Sequence, residues 1–173
     1  MITIRPATIS DAAGIGRVSA ETWRAAYRGL MPDSILDNIS VEQRAARYRE
    51  ILGSADRRRA TFVAEDASSG VVGFASSGPE RSSDPFYTGE LYALYILPEY
   101  HRHGLGRGLV AATVSHLRGG GHTAMLVWVL AGNPACGFYQ RLGGRFLREK
   151  HLPAGDVTLL EEGYGFTFDT MRW

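Results

Sequence analysis

Cysteine is almost absent from this 173-residue chain, where Cys136 stands alone. No intrachain disulfide framework is available, and a reducing compartment, the cytoplasm, is the simpler expectation. An excess of charge of one sign is also lacking: 19 Lys+Arg face 18 Asp+Glu, for a formal net charge of +1. That balance speaks against a nucleic-acid footprint and against an acidic disordered tail. Arg57, Arg58 and Arg59 form the densest basic cluster, which reads first as a solvated turn ahead of a strand. Long hydrophobic runs are missing, so no segment is expected to span a membrane. Met1-Ile-Thr-Ile-Arg-Pro has neither the apolar core nor the cleavage site of a signal peptide. No Gly-Lys-Ser/Thr occurs, which excludes a P-loop. His101, His103, His116, His122 and His151 show neither H-E-x-x-H nor Cys/His ligand spacing, so no metal is expected.

What is present suits one compact α/β domain over residues 1–173, 45% hydrophobic and with 21 glycines for tight turns or close backbone approach. Ile2 to Arg5 alternates before Pro6 and reads as a short edge strand. Ser10-Asp11 opens a helix bearing Ile15, Val18 and Ala26 on one face, stopped by Gly29 and Pro32. Ser40-Val-Glu-Gln resembles a capping box, with Gln43 reaching back, and starts a second helix that runs to Gly53. Ala60–Glu65 and Val71–Ser76 are strands joined by a hairpin-like Ala-Ser-Ser-Gly. Leu91–Leu97 is nearly continuous apolar, as a strand buried on both faces should be. Gly104–Arg118 is an amphipathic helix ending in three glycines. A strand at Ala124–Leu130, a short helix at Pro134–Leu142 and strands near Gly144–Lys150 and Gly163–Phe168 complete the chain. Strand, helix, strand in the middle implies a right-handed crossover with parallel pairing.

His101-Arg-His-Gly-Leu-Gly-Arg-Gly lies between the buried strand and the amphipathic helix. The N–H groups of a first helical turn lack intrahelical acceptors and the helix dipole favours negative charge there. Glycines would let a diphosphate lie against that backbone; the plain alternative is a strand-to-helix turn without a ligand. The spacing G-x-G-x-G differs from the dinucleotide fingerprint, and the turn comes late in the chain.

Leu94-Tyr-Ile-Leu-Pro-Glu-Tyr-His-Arg-His-Gly-Leu-Gly-Arg-Gly-Leu resembles the acetyl-CoA signature of the GNAT (Gcn5-related N-acetyltransferase) superfamily. Asn133-Pro-Ala-Cys-Gly-Phe-Tyr-Gln-Arg-Leu-Gly-Gly is similar to the family's later Asn…Phe-Tyr…Leu-Gly segment. Ile-Arg-Pro-Ala-Thr near the start and Thr-Trp-Arg-Ala-Ala-Tyr-Arg-Gly-Leu-Met-Pro are typical of members too. The resemblance spans essentially the whole chain. It implies a mixed, splayed sheet of about seven strands flanked by about four helices, with acetyl-CoA as co-substrate entering the splay. The backbone of Leu94, Tyr95 and Ile96 would pair with the pantetheine arm. Arg102, His103, Gly104, Leu105, Gly106 and Arg107 would hold the diphosphate, and Asn133 would touch the cofactor. Two positions depart from the pattern: His101 stands where Gln or Arg is usual, and Asn133 lies six residues before Tyr139, where seven is commoner.

Acetyl transfer to an amine needs a deprotonated nitrogen, a donor for the oxyanion and a proton for the departing thiolate. By its match to the family's Phe-Tyr, Tyr139 is the candidate acid; periodicity alone would make it and Phe138 core aromatics. The resemblance offers the Ile96 N–H to the oxyanion. Glu90, at the start of the apolar strand, is the candidate base, since partial desolvation there would raise its pKa; a solvated strand-start residue or a water base is the alternative. In the resembling family, the segment carrying Trp23, Tyr27 and Met31 borders the acceptor pocket, although these side chains could equally pack the first helix on the sheet. Phe86 and Tyr87 could wall the same pocket. Cys136, without a nearby His or Asp in sequence, is expected to pack rather than take the acetyl group. The expected function is N-acetyl transfer to a small-molecule, amino-acid or peptide amine, neutral or amphiphilic more than polycationic. A non-catalytic acyl-CoA sensor is the alternative. A homodimer is compatible with the sequence, and no nucleic-acid or membrane partner is expected.

Overall fold

The computed structural model describes residues 1–173. Its elements are β1 (Ile2–Pro6), α1 (Ala12–Ala26), α2 (Asp33–Asp37), α3 (Val41–Gly53), β2 (Ala60–Asp66), β3 (Gly70–Pro79), β4 (Gly89–Ile96), α4 (Leu105–Gly119), β5 (Ala124–Leu130), α5 (Ala135–Arg141), β6 (Arg145–Ala154) and β7 (Val157–Thr167). The strands form one mixed sheet in the order β1-β2-β3-β4-β5-β7-β6. Only the β4–β5 pair is parallel, as the helix between those strands requires. Helix α4 packs on β2, β3 and β4, while α1, backed by α3, lies against β3 and β4. Leu109, Val110 and Leu117 of α4 and Ile15 and Val18 of α1 are buried in the same core cluster.

Two details of the sheet create the site. Ser76 pairs with Ala93 and Ser77 with Leu91, which leaves Tyr92 as an extra residue on β4. Such a bulge bends its strand and disrupts the ladder locally. Accordingly β4 and β5 share rungs only from Gly89–Met125 to Leu91–Val127, and beyond that point they part.

Several sequence expectations need correction. There are five helices, because Asp33–Asp37 makes one turn that is too short to carry a period, anchored by the fully buried Leu36. The last two strands are much longer than expected and form a hairpin turning at Gly155-Asp156. β6 runs on through Pro153 because it is an edge strand, where a missing N–H is tolerated. At the start of α1, Asp11 accepts the Thr8 N–H at 2.7 Å across a preceding turn, so the capping residue pair is Thr8 and Asp11 rather than Ser10 and Asp11. Ser40 does cap α3, accepting the Gln43 N–H at 3.1 Å; its hydroxyl donates to Glu42, and no return bond comes from the Gln43 side chain.

Candidate active site

The parted strands open a cavity of about 890 Å³. Its wall on the β4 side is built by alternation. The Leu97 N–H donates to the Val72 carbonyl on β3, so the residues of opposite parity, Leu94 and Ile96, turn their N–H groups toward the gap. They have no strand partner there. Leu94, Tyr95 and Ile96 all line the cavity.

At one end the chain turns from β4 into α4. Arg102 has φ +63° and Gly104 φ +77°, two left-handed residues within three positions. Glycine takes that conformation at little cost, whereas arginine does not. The first backbone bond of α4 runs from the Gly108 N–H to the Gly104 carbonyl, so the N–H groups of Leu105, Gly106 and Arg107 are the orphan donors of the first turn. A Cβ on Gly106 would lie 3.1 Å from the Phe138 ring, so a larger residue here would press on that ring and make it give. Arg102, Gly104, Leu105, Gly106 and Arg107 line the cavity; the exposed His103 does not. His101 has a role that sequence could not supply: its Nε2 lies 2.8 Å from the Ile96 carbonyl, donating to it and tying the end of β4 to the turn. Asn133 lines the cavity as well, and its Oδ1 accepts the Ala135 N–H at 2.8 Å, which caps the start of α5.

Tyr139 projects from α5 into the gap, 5% exposed. Burial pushes its hydroxyl well above the usual phenol range, with Tyr95 adding to the effect. Tyr95 is likewise raised by burial and by Tyr27 beside it. Tyr27 lines the cavity, but Trp23 stands behind it, edge-on at 4.8 Å between ring centroids, and supports rather than lines. Arg44 covers the Trp23 ring at 4.5 Å.

Glu90 differs from its expected state. It is 2% exposed and outside the cavity lining, and its carboxylate is committed to Arg81. Arg81 Nη2 donates to it at 2.5 Å, Nε at 3.1 and 3.2 Å, and the Arg81 backbone N–H at 3.1 Å. Both of its oxygens are occupied by Arg81 donors. Phe86 and Tyr87 are also displaced from expectation. Phe86 is 56% exposed, Tyr87 packs on Gly165 of β7, and neither lines the cavity.

Residues 82–152 match the model of the FR47-like protein family. Over 166 residues the chain is 34% identical to the uncharacterized N-acetyltransferase YuaI of Bacillus subtilis (strain 168), covering 96% of this chain and 93% of that protein. The chain belongs to the GNAT acetyltransferase superfamily. Among solved structures it is similar to YncA of Salmonella typhimurium, described with its cofactor acetyl-CoA, at 25% identity and TM-score 0.70, covering 98% of this chain and 95% of that one. The ribosomal-protein-alanine N-acetyltransferase of Brucella melitensis shares the fold at 20% identity and TM-score 0.72, covering 96% of this chain and 99% of that one.

The far end of the cleft in this GNAT chain is made by residues that sequence reasoning missed. Trp128 is the first residue of β5 beyond the last β4 rung, and it lines the cavity. Its ring lies against Gly163 of β7 and beneath two cations, with Lys150 Nζ 4.1 Å and Arg148 Cζ 5.6 Å from the centroid. Lys150 pairs with Glu161 at 3.2 Å and Arg148 with Asp84 at 2.8 Å. These two ion pairs stand over this end and cancel in charge. Below them Tyr27, Met31, Leu36, Leu130 and Leu159 form a second apolar cluster. Trp128 was the one legible signal, an aromatic inside an otherwise aliphatic strand; the ion pairs join residues too far apart in sequence to be read.

Proposed function

We propose that this protein binds acetyl-CoA along the open edge of β4 and transfers the acetyl group directly to a primary amine. The observation that carries this reading is the position of Tyr139. Its buried hydroxyl lies in the gap that also holds the free Leu94 and Ile96 N–H groups and the orphan donors of α4. The backbone fits the co-substrate: an extended arm can pair with Leu94 and Ile96 while a diphosphate meets the Leu105–Arg107 N–H groups. The bound thioester supplies an activated acetyl carbon. The Ile96 N–H is placed to stabilise charge on its oxygen, and Tyr139, which keeps its proton because it is buried, donates to the departing sulfur.

Cys136 supports direct transfer by exclusion. Burial and the neighbouring Glu162 charge push its thiol up, away from the thiolate an acyl acceptor needs, and it does not line the cavity. The acceptor end, aromatic and apolar with its ion pairs balanced, suits a neutral or amphiphilic small molecule, amino acid or peptide amine. The cytoplasm is the compartment we propose, on the single cysteine. An amine panel incubated with acetyl-CoA, followed by free-thiol release, tests the reading. Turnover of amino-acid-like or aromatic amines is expected. No thiol release with any amine would reduce the protein to a CoA binder, and a clear preference for spermidine would overturn the acceptor class.

A further inference from the structure

We infer that Lys150 is itself an acetyl acceptor, so that the enzyme acetylates its own acceptor end within one molecule. The inference rests on the acetyl-transfer reading above and adds a modification site to it. Lys150 is the only lysine in the chain. The register places it on the catalytic face of the sheet: Lys150 pairs with Glu161, Glu161 with Leu130, and Arg148 with Gly163, which faces Trp128. Side chains paired across an antiparallel ladder share a face, so Lys150, Glu161, Leu130 and Trp128 project together. The Lys150 ammonium therefore stands over the indole that lines the cleft where β4 and β5 part.

The surroundings anchor the side chain beside the cleft. An aromatic face and a carboxylate 3.2 Å away hold the resting ammonium there, and that carboxylate is the nearest group to take its proton when the nitrogen turns toward the gap. Glu161 faces Lys150, whereas the neighbouring carboxylates are committed elsewhere. Glu90 is saturated by Arg81, and Glu162 accepts the Tyr164 hydroxyl, whereas Glu161 has Lys150 as its partner. Lys150 rides on a flexible four-carbon stem with its side chain partly exposed, and the step requires a change of rotamer that swings Nζ from the indole toward the gap.

The step balances without a further reagent. The Lys150 ammonium gives one proton to Glu161, which passes it to solvent. The nitrogen lone pair forms the new N–C bond to the thioester carbonyl carbon, and the C–S bond breaks. Sulfur leaves with the Tyr139 proton, and the second proton lost by nitrogen restores that hydroxyl. Acetyl-lysine has no charge, so Glu161 is left without its cation.

The test is intact-mass spectrometry with peptide mapping of the protein incubated with acetyl-CoA alone. A gain of one acetyl group per chain on Lys150 is expected, with a first-order rate independent of protein concentration. Lys150→Arg keeps the ion pair and should gain none at that position. Glu161→Gln should slow the reaction at least about tenfold and Tyr139→Phe by more, and excess free CoA should slow the wild type. An unmodified Lys150 in protein that turns over panel amines overturns this inference alone. So does acetylation at an equal rate in Tyr139→Phe, or one insensitive to free CoA, since either marks uncatalysed chemistry. If neither panel amines nor Lys150 accept acetyl while acetyl-CoA binds, the transfer reading itself falls and takes this inference with it.

Discussion

Tyr139 and Glu90 entered as a matched acid and base, and their surroundings now separate them. Tyr139 keeps its proton in a buried position beside the free N–H groups of β4. Tyr139→Phe retains the ring packed against Phe138 and Phe166 and deletes the hydroxyl alone. Turnover should fall by about 10²–10⁴-fold with little change in acetyl-CoA affinity, measured by steady-state kinetics beside calorimetry. Glu90 is a different case, because its charge is buried and matched to a guanidinium that is itself half-exposed. Removing the partner strands the carboxylate. Arg81→Ala should cost about 1–3 kcal/mol in urea unfolding, while Glu90→Gln should leave the acidic limb of the pH–rate profile where it was. A shift of that limb in Glu90→Gln would return Glu90 to the proton path.

Among the elements, the junction of β1, β2 and α1 depends on one ion cluster. Arg5 Nη1 and Nη2 each donate to Asp11 at 2.8 Å, and Nε donates to Glu65 at 2.8 Å. Hydrogen bonds from Arg5, followed by those from Thr8, lower the Asp11 pKa to about 2. An unfolded aspartate titrates near 3.9. The folded value lies below the unfolded one, so the stabilisation is fully present above about pH 4–5 and is lost as pH falls toward about 2. At its maximum it is worth roughly 2 kcal/mol, since a shift of one pKa unit corresponds to 1.36 kcal/mol. Arg5→Ala should therefore lose about that much in chemical denaturation at pH 6 and much less at pH 2.5. An equal loss at both pH values would mean that packing of the arginine stem, not its charge, holds the junction.

For the molecule as a whole, folding and co-substrate binding are linked, because the cradle exists only where β4, α4 and α5 meet. Acetyl-CoA at 100 times its dissociation constant should add about 2.7 kcal/mol to the folded state. For a chain of this size that raises the melting temperature by roughly 5–10 °C. Gly106→Val should remove the shift, because its side chain would enter the space of the Phe138 ring and cover the first turn of α4. A melting curve unmoved by millimolar acetyl-CoA in folded wild-type protein would overturn the cofactor assignment.

The sequence by itself determined what is local. Periodicity and turn chemistry located α1, α3, α4 and β1 to β5 to within a few residues, and the resemblance of the glycine turn and the Asn133–Gly144 segment to GNAT motifs pointed to Leu94–Ile96, the Gly104–Arg107 turn and Tyr139. Tertiary structure decided what depends on partners distant in the chain. It paired Glu90 with Arg81 and set it outside the cavity lining. It let β6 run through Pro153, because only a neighbour on one side is needed at an edge. It moved Phe86 and Tyr87 out of the cavity and set Trp128, Lys150 and Glu161 at its far end. The physical reason is the same in each case: local pattern reports a residue's own backbone and neighbours, but basicity, exposure and the face a side chain meets are set by sheet register.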